Sequence, residues 1–482
     1  MNKNLTLLIS LFALLFTPLI SFASAAGDGE RLDLTNHTVG FTAIVIFIIA
    51  YGFVMAEEFT HLRKSKPVIL AAGLIWGAVA LVYAQNGVHG TAEAAVRHNL
   101  LEFAELFLFL LVAMTYINAM EERLVFDTLK SWLIRKGFGY RQLFWLTGIL
   151  AFFISPVADN LTTALLMCAV LLAVGADSPK FVGIGCVNIV VAANAGGAFS
   201  PFGDITTLMV WQKGIVDFQT FFLLFVPSVV NFLIPAAIMH FAIPNETPKA
   251  NDEMIRMKRG SIAIMILFIL TIATAVSFHN FLHMPPVIGM MTGLAYLQIY
   301  GFYLRKTHYK YEAVAPYDET KADQMMGDVT AFDVFRKISR AEWDTLLFFY
   351  GVVLCVGGLG FIGYLSLVSE MMYVDWGATE ANIAVGFLSA IVDNIPVMFA
   401  VLSMQPDMSL GQWLLVTLTA GVGGSMLSIG SAAGVALMGQ AKGKYTFFGH
   451  LKWTPVIALG YFASIWVHMW INEASFALPA NL

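Results

Sequence analysis

The segment S-P-V-A-D-N at residues 155–160 decides how this chain is built. It lies at the centre of residues 142–175, an apolar stretch whose only charged residue is Asp159. A helix needs about 20 apolar residues to cross the hydrocarbon core of a bilayer, and a charge at that depth is costly and usually functional. The pattern therefore predicts a hairpin of two helices that enters a membrane, turns at Asp159 and leaves on the same side.

A second segment of the same form, S-A-I-V-D-N, occupies residues 389–394 and repeats the S-x-x-x-D-N pattern of the first. It lies in the apolar stretch 381–406, whose only charged residue is Asp393. The uncharged runs on either side of Asp393 are too short to cross a bilayer singly. We therefore predict a second hairpin here.

Each predicted hairpin precedes a long apolar stretch with a glycine-rich centre, at residues 181–211 and 411–441. The Gly-Gly pairs at 196–197 and 423–424 correspond to each other, and Gly203 and Gly430 follow them at the same spacing. We interpret both stretches as broken helices that unwind near their middle. Interrupted helices at corresponding positions of two halves are the best sequence indication of a transporter's binding site.

The composition limits the class of protein. Of the 482 residues, 58% are hydrophobic and only 12% are charged, about half the charged fraction of an ordinary soluble domain. The formal net charge of −5 offers no basic surface to nucleic acid, and the sequence has no nucleotide-binding loop. The composition therefore predicts a helical membrane protein without a cofactor and excludes soluble enzymes and nucleic-acid binders.

Eight further stretches are long and apolar enough to be full spans. They lie near residues 39–58, 67–86, 99–120, 218–243, 261–279, 284–304, 344–367 and 453–472. Residues 1–26 have the features of a secretory signal peptide, which would place the residues after it outside the cytoplasm. With that start, 23 of the 27 Lys and Arg residues fall in predicted cytoplasmic loops and 3 fall outside, in agreement with the positive-inside rule. Both termini of the mature protein are then predicted to lie outside the cytoplasm.

The order of these segments predicts two repeats of opposite orientation. The predicted fold class is an all-α polytopic membrane protein in which each repeat has three spans, a hairpin, a broken helix and a final span. The predicted domains are a signal peptide at 1–26, a first repeat at 27–243, a cytoplasmic linker at 244–260 and a second repeat at 261–482 with a cytoplasmic loop at 305–341. Because non-helical backbone at membrane depth must be surrounded by protein or water, we expect the interruptions to converge.

Polar side chains are concentrated at these interruptions. The candidate cation- and proton-binding residues are Ser155, Asp159, Asn160, Thr162, Thr163, Asn194, Ser200, Asp204, Thr206, Thr207, Ser389, Asp393, Asn394, Ser428 and Ser431. Their carboxylate, amide and hydroxyl oxygens suit small hard cations, and no Lys or Arg occurs among them. A buried aspartate without a basic partner must bind a proton or a cation, so Asp159, Asp204 and Asp393 are predicted to form one cluster where Na⁺ and H⁺ compete. Glu105, in the span 99–120, is an accessory candidate.

Three motifs resemble those of the NhaD-type sodium/proton antiporters of the ion transporter superfamily. They are S-P-V-A-D-N-L-T-T at 155–163, N-A-G-G-A-F-S-P-F-G-D-I-T-T at 194–207 and S-A-I-V-D-N-I-P at 389–396. The resemblance implies efflux of Na⁺ or Li⁺ in exchange for H⁺ across the bacterial inner membrane, favoured at alkaline pH, by a homodimer. Relatives of this fold that couple divalent anions to sodium carry Ser-Asn-Thr signatures at the hairpins. Here an aspartate precedes the asparagine in both hairpins, which fits a cation substrate.

Two other functions fit parts of the sequence. An anion carrier of the same fold, for arsenite or a dicarboxylate, would need a basic residue at the site, and none occurs among the candidates. An intramembrane aspartyl protease also uses two membrane aspartates. However, Asp204 follows P-F-G at residues 201–203 rather than the Gly-x-Gly of such enzymes, and proteolysis does not explain two inverted hairpins. The anion carrier is therefore the closer alternative.

Overall fold

The computed structural model of the chain describes residues 31–175, 177–247, 255–307 and 332–480. The predicted signal peptide lies outside the described residues, as do the middle of the predicted linker and most of the predicted cytoplasmic loop. Across the described ranges the secondary structure is helical, and a bridge between Ser409 and Pro479 is the one β pairing found there. The prediction of an all-helical chain is confirmed.

Eight long helices correspond to the predicted full spans. They are Thr38–Met55, Ser65–Gln85, Thr91–Glu122, Phe218–His240, Ser261–Leu282, Pro286–Lys306, Trp343–Ile362 and Thr454–Ile471. The third begins well before the predicted start, and an ion pair of Arg97 with Glu93 at 2.8 Å lies on this added, exposed turn. Shorter helices in the described ranges are Glu57–Thr60, Val125–Arg135, Val334–Ser339, Tyr364–Ser369, Glu370–Trp376, Phe447–Leu451 and Glu473–Ala477.

The four interrupted segments each contain two helices. The first hairpin consists of Tyr140–Ala158 and Asn160–Val174, the first broken helix of Pro179–Gly197 and Ile205–Gln212, the second hairpin of Ala378–Val392 and Asn394–Met404, and the second broken helix of Leu410–Gly423 and Ala432–Gln440. Within the described ranges, Tyr140–Ala158 and Pro179–Gly197 are also long and apolar enough to cross a membrane, which gives ten such helices in all. Length and composition alone therefore do not separate these two helices from full spans.

Each hairpin turns at an aspartate whose backbone has a positive φ. The angle is 54° at Asp159 and 87° at Asp393, a region that few residues other than glycine enter, with Asp and Asn among the exceptions. Each carboxylate also caps the second helix of its own hairpin. Asp159 accepts a hydrogen bond from Thr162 N at 2.9 Å, and Asp393 accepts one from Ile395 N at 3.5 Å. One residue type thus serves both the turn and the cap.

The two hairpins pack on the broken helices through equivalent hydrogen bonds. Ser155 Oγ donates to Ala193 O at 2.6 Å, and Ser389 Oγ donates to Ala420 O at 2.7 Å. The two serines begin the two S-x-x-x-D-N segments, and the two alanines precede the two Gly-Gly pairs at the same spacing. The contact between hairpin and broken helix therefore recurs in both halves of the chain.

Two glycines allow the backbones of these segments to touch. A Cβ atom at Gly196 would lie 2.2 Å from Phe152 O, and a Cβ atom at Gly423 would lie 2.3 Å from Gly386 O. No side chain fits at such distances, so close packing requires glycine at both positions. Phe152 and Gly386 precede Ser155 and Ser389 at the same spacing, so this contact is also common to the two halves.

Candidate functional site

Asp204 lies at the break of the first broken helix and is only 4% exposed. It caps the helix Ile205–Gln212, and its Oδ1 accepts hydrogen bonds from both Thr206 N and Thr206 Oγ1 at 2.9 Å. An aspartate is a favoured cap because its oxygen satisfies an N–H group that has no partner within the helix. The local sequence thus fixes this carboxylate at the interruption.

The tips of both hairpins meet at Asp204. Asn160 Nδ2 donates to Asp204 Oδ2 at 3.3 Å, and Asn394 Nδ2 lies 3.3 Å from Oδ1 and 3.2 Å from Oδ2. Together with the two donors of Thr206, these amides offset much of the cost of burying a carboxylate. One carboxylate therefore connects three of the four interruptions.

Asn194 joins the fourth interruption to the same network. Its Oδ1 accepts a hydrogen bond from Asn160 Nδ2 at 3.0 Å, and its Nδ2 donates to Ser431 Oγ at 3.1 Å. Ser431 caps the helix Ala432–Gln440 of the second broken helix. The expected convergence of the interruptions is thus present as a continuous chain of side-chain hydrogen bonds.

The three candidate aspartates do not form one cluster of carboxylates. Asp159 lines the same cavity of about 100 Å³ as Asp204, whereas Asp393 lines a second cavity of about 530 Å³. The two cavities adjoin, because Leu161 and Ala432 line both. Asp159 and Asp393 turn back to cap their own helices, and no group of three His, Cys, Asp or Glu side chains within the described ranges is close enough to hold a metal ion. A cation at Asp204 would therefore need amide, hydroxyl or carbonyl oxygens among its ligands.

The remaining candidates divide into bonded and unbonded hydroxyl groups. Besides Ser155 and Ser389, Ser200 Oγ donates to Pro156 O at 2.8 Å and Thr207 Oγ1 to Ala198 O at 3.4 Å, while Thr162 Oγ1 donates to Asp159 at 2.8 Å. Thr163 Oγ1 and Ser428 Oγ are buried and have no hydrogen-bond partner in the described part of the chain. The first group holds the interruptions together, whereas the two residues of the second group line neither cavity.

The sequence indicated that the site has no basic residue. That inference does not hold for the two cavities as a whole. Lys64 and Arg340 line both cavities, together with Glu342. Lys64 Nζ also lies 4.6 Å from the centroid of the Phe348 ring. These residues lie at the ends of helices that are far from the interruptions in sequence, so the interruptions alone do not reveal them. The hydrogen bonds found on Asp204 still come only from amide, hydroxyl and backbone groups.

Glu105, the accessory candidate, lies apart from this site. It lines a third cavity with Glu102 and Lys213, and these two form an ion pair. Lys213 directly follows the helix Ile205–Gln212, whose start is at Asp204. Eight helical residues span about 12 Å, which separates the surroundings of Glu105 from the carboxylate of Asp204.

Residues 51–421 match the family described as Citrate transporter. That range contains both hairpins and the first broken helix. It also contains most of Leu410–Gly423, the first helix of the second broken helix. The ten apolar helices and the polar junction thus define a multi-pass membrane protein of this transporter class.

Three relatives narrow the class. The chain is 63% identical over 468 residues to a Vibrio cholerae protein named Na(+)/H(+) antiporter NhaD, a match that covers 96% of this chain and 98% of that one. A protein of the same name from Alkalimonas amylolytica is 61% identical over 97% of both chains. Sodium/proton antiporter 1 of Arabidopsis thaliana is 31% identical over 91% of this chain and 73% of its own length. The chain therefore belongs to the NhaD family of Na⁺/H⁺ antiporters.

Proposed function

We propose that this chain is a secondary active transporter, not an enzyme, that exchanges cytoplasmic Na⁺ or Li⁺ for external H⁺. Asp204 is the group for which cation and proton compete. The observation that carries the proposal is that Asp204 is a buried carboxylate with four donor groups, none of them basic, at the junction of the interrupted helices. The close relatives named as Na(+)/H(+) antiporters support the same pair of ions.

The two amides at Asp204 suit an exchange of ligands. Asn160 and Asn394 donate N–H groups to the carboxylate. After a half-turn of its amide, each side chain offers a carbonyl oxygen in the same place. The amides can therefore stabilise the charged carboxylate when no cation is bound and serve as oxygen ligands when one is. A proton on Asp204 removes the negative charge that attracts the cation, so the two ions exclude each other.

Asp159 and Asp393 act beside this centre in the proposal. Both face cavities that adjoin at Leu161, and both hairpin tips hold the asparagine that reaches Asp204. Their carboxylates raise the local concentration of cations on the path to Asp204. Thr206 Oγ1, which lies 2.9 Å from Asp204 Oδ1, is the hydroxyl group beside the carboxylate.

An anion carrier is the second candidate, because the matched family is described as Citrate transporter and because Lys64 and Arg340 line the cavities. A citrate bound at the junction would place its carboxylates against Asp204, with no basic group among the hydrogen-bond partners of that residue. Repulsion between like charges is strong in a medium of low dielectric constant. This geometry favours the cation.

Everted membrane vesicles with an acidified lumen test the two functions against each other. Addition of NaCl or LiCl is expected to raise the fluorescence of a pH-sensitive dye, since the exchanger releases luminal protons, and KCl serves as the comparison for a larger ion. Vesicles from cells without the protein provide the baseline. If sodium and lithium have no effect but labelled citrate accumulates, the exchange function is wrong and the anion carrier replaces it.

The membrane arrangement is a further part of the proposal. The two halves are inverted repeats in the bacterial inner membrane, with both hairpins re-entrant, both termini of the mature protein in the periplasm and a homodimer as the functional unit. The charge distribution supports the orientation, and the recurring contacts of Ser155 and Ser389 support the repeat. Helices such as Thr38–Met55, which buries only 22% of its apolar window, have faces for lipid or for a second copy.

Reporter fusions test this arrangement. A fusion after Leu482 is expected to be active as alkaline phosphatase, which folds in the periplasm, and inactive as β-galactosidase. A fusion at residue 250, in the predicted cytoplasmic linker, is the matched control and should give the opposite pair of activities. The same pair of activities at both positions would overturn the predicted orientation.

A further inference from the structure

The two halves differ at one pair of corresponding positions beside the site. Asn194 and Gly421 precede the two Gly-Gly pairs at the same spacing, and Asp204 and Ser431 directly follow the corresponding glycines at 203 and 430. In one half, Asn194 Nδ2 reaches across to Ser431 Oγ at 3.1 Å. In the other, Gly421 faces Asp204 and has no side chain to fill the equivalent space. Asp204 thus faces Gly421, whereas its counterpart Ser431 faces Asn194.

The space beside Gly421 accommodates a methyl group. A Cβ atom at this position would lie 3.7 Å from Asp204 Oδ2, 3.7 Å from Thr206 Oγ1 and 3.4 Å from Ala198 Cβ, which are its three nearest atoms. These are ordinary van der Waals distances. The space is therefore bordered by two oxygens and by the methyl group of Ala198.

Packing does not explain glycine at this position. A Cβ at Gly423, about half a helical turn further along, would lie 2.3 Å from a backbone oxygen, whereas alanine fits at Gly421 without a clash. Gly421 lies inside the helix Leu410–Gly423 and has no positive φ. Glycine in a helix interior is less favourable than alanine. The chain thus keeps a residue that is unfavourable for the helix where alanine would pack.

We infer that Gly421 is a specificity-determining residue, and that the cation bound to Asp204 extends into the space beside it. The inference rests on the proposed exchange of Na⁺ or Li⁺ for H⁺. A small cation beside Asp204 Oδ2 and Thr206 Oγ1 has a carboxylate and a hydroxyl as ligands, both suited to a hard ion. The size of the space, set by Gly421 and by Ala198, then limits which cation fits.

Gly421→Ala is the direct test, because it fills the space and favours the helix. We expect the KM for Na⁺ in proteoliposomes to rise about tenfold, near the low end of what one methyl group changes in a binding pocket, and the KM for the smaller Li⁺ to rise less. Ala198→Gly widens the same space and should shift preference toward K⁺. Gly439→Ala is the matched control, since nothing lies within 4 Å of its Cβ position, and its KM values should stay at wild type.

The outcomes separate this inference from the proposed function. If the KM values for Na⁺ and Li⁺ are unchanged in Gly421→Ala and the wild-type protein exchanges normally, the inference about Gly421 is wrong. The proposed exchange function is then unaffected. A lower kcat with unchanged KM values also overturns it, because it shows an effect on movement rather than on cation binding. If Gly421→Ala does not transport, calorimetry of Na⁺ binding to the purified variant decides, and wild-type affinity overturns the inference. Wild-type protein without Na⁺- or Li⁺-dependent exchange would instead refute the proposed function.

Discussion

Substitution of Asp204 by asparagine is expected to lower the rate of Na⁺/H⁺ exchange about 100-fold. Loss of one partner from a buried charge pair costs about 2–5 kcal/mol, and about 2.7 kcal/mol corresponds to 100-fold. Asparagine keeps the size of the side chain and its capping oxygen but holds neither the charge nor an exchangeable proton. The measurement is the initial rate of Na⁺-dependent proton movement in proteoliposomes, normalised to the amount of protein.

Asp333→Asn is the matched control for that variant. Asp333 caps the helix Val334–Ser339 by accepting from Phe335 N at 3.0 Å, and it lines neither cavity. The Asp333→Asn variant therefore loses the same charge as Asp204→Asn at the same kind of helix position. Its exchange rate should equal that of the wild type. Asp159→Asn gives a further comparison, since asparagine caps helices as well as aspartate does and any loss then reports the charge facing the cavity. Exchange at the wild-type rate in Asp204→Asn would remove this residue from the centre of the mechanism.

The sequence predicted the interruptions of the helices because their signals are local. A single charged residue inside an apolar stretch identified the turns at Asp159 and Asp393, and glycine-rich centres identified both broken helices. In the structure these turns have positive φ values and the helices end and restart within a few residues of the predicted places. Helix starts and stops depend on capping and hydrophobicity over a few residues, which a sequence displays directly.

The arrangement at Asp204 could not be predicted in the same way. Asn394 lies 190 residues from Asp204, and only the packing of two hairpins brings them together. Capping of their own helices by Asp159 and Asp393 is an arrangement that the sequence allowed, but the sequence did not show that the neighbouring asparagines would reach the shared carboxylate. Lys64, at the start of a span, was missed for the same reason, since its place in the cavity depends on how distant helices pack.

Glu105 illustrates a second limit of the sequence. An acidic residue at membrane depth is usually functional, and that rule selected Glu105. The structure places it in a separate cavity near Glu102, which pairs with Lys213 and with His98. A carboxylate in the middle of a long helix can thus have an ionic environment of its own. Depth along the sequence therefore does not tell which cavity a side chain faces.

Binding of Na⁺ to the purified protein is expected to release a proton. Because proton and cation compete for Asp204, the heat of Na⁺ binding should vary linearly with the ionisation enthalpy of the buffer, and the slope gives the number of protons released. The same competition should raise the apparent KM for Na⁺ by about tenfold for each unit fall in pH once the proton occupies most sites, since each bound proton must first leave. Calorimetry in buffers of low and high ionisation enthalpy measures the first effect, and exchange rates at several pH values measure the second.

The Asp204→Asn variant makes this prediction specific to one residue. If Asp204 is the group that exchanges the proton, any Na⁺ that the variant still binds should produce the same heat in every buffer. If the heat still varies with the buffer in the variant, the released proton comes from another carboxylate. Asp159 is then the next residue to test, because it lines the same cavity. Heat that is independent of the buffer in the wild type, across the pH range of activity, would mean that no proton leaves on binding. Competition at a shared site would then be wrong, and the two ions would have to bind at separate places in the cycle.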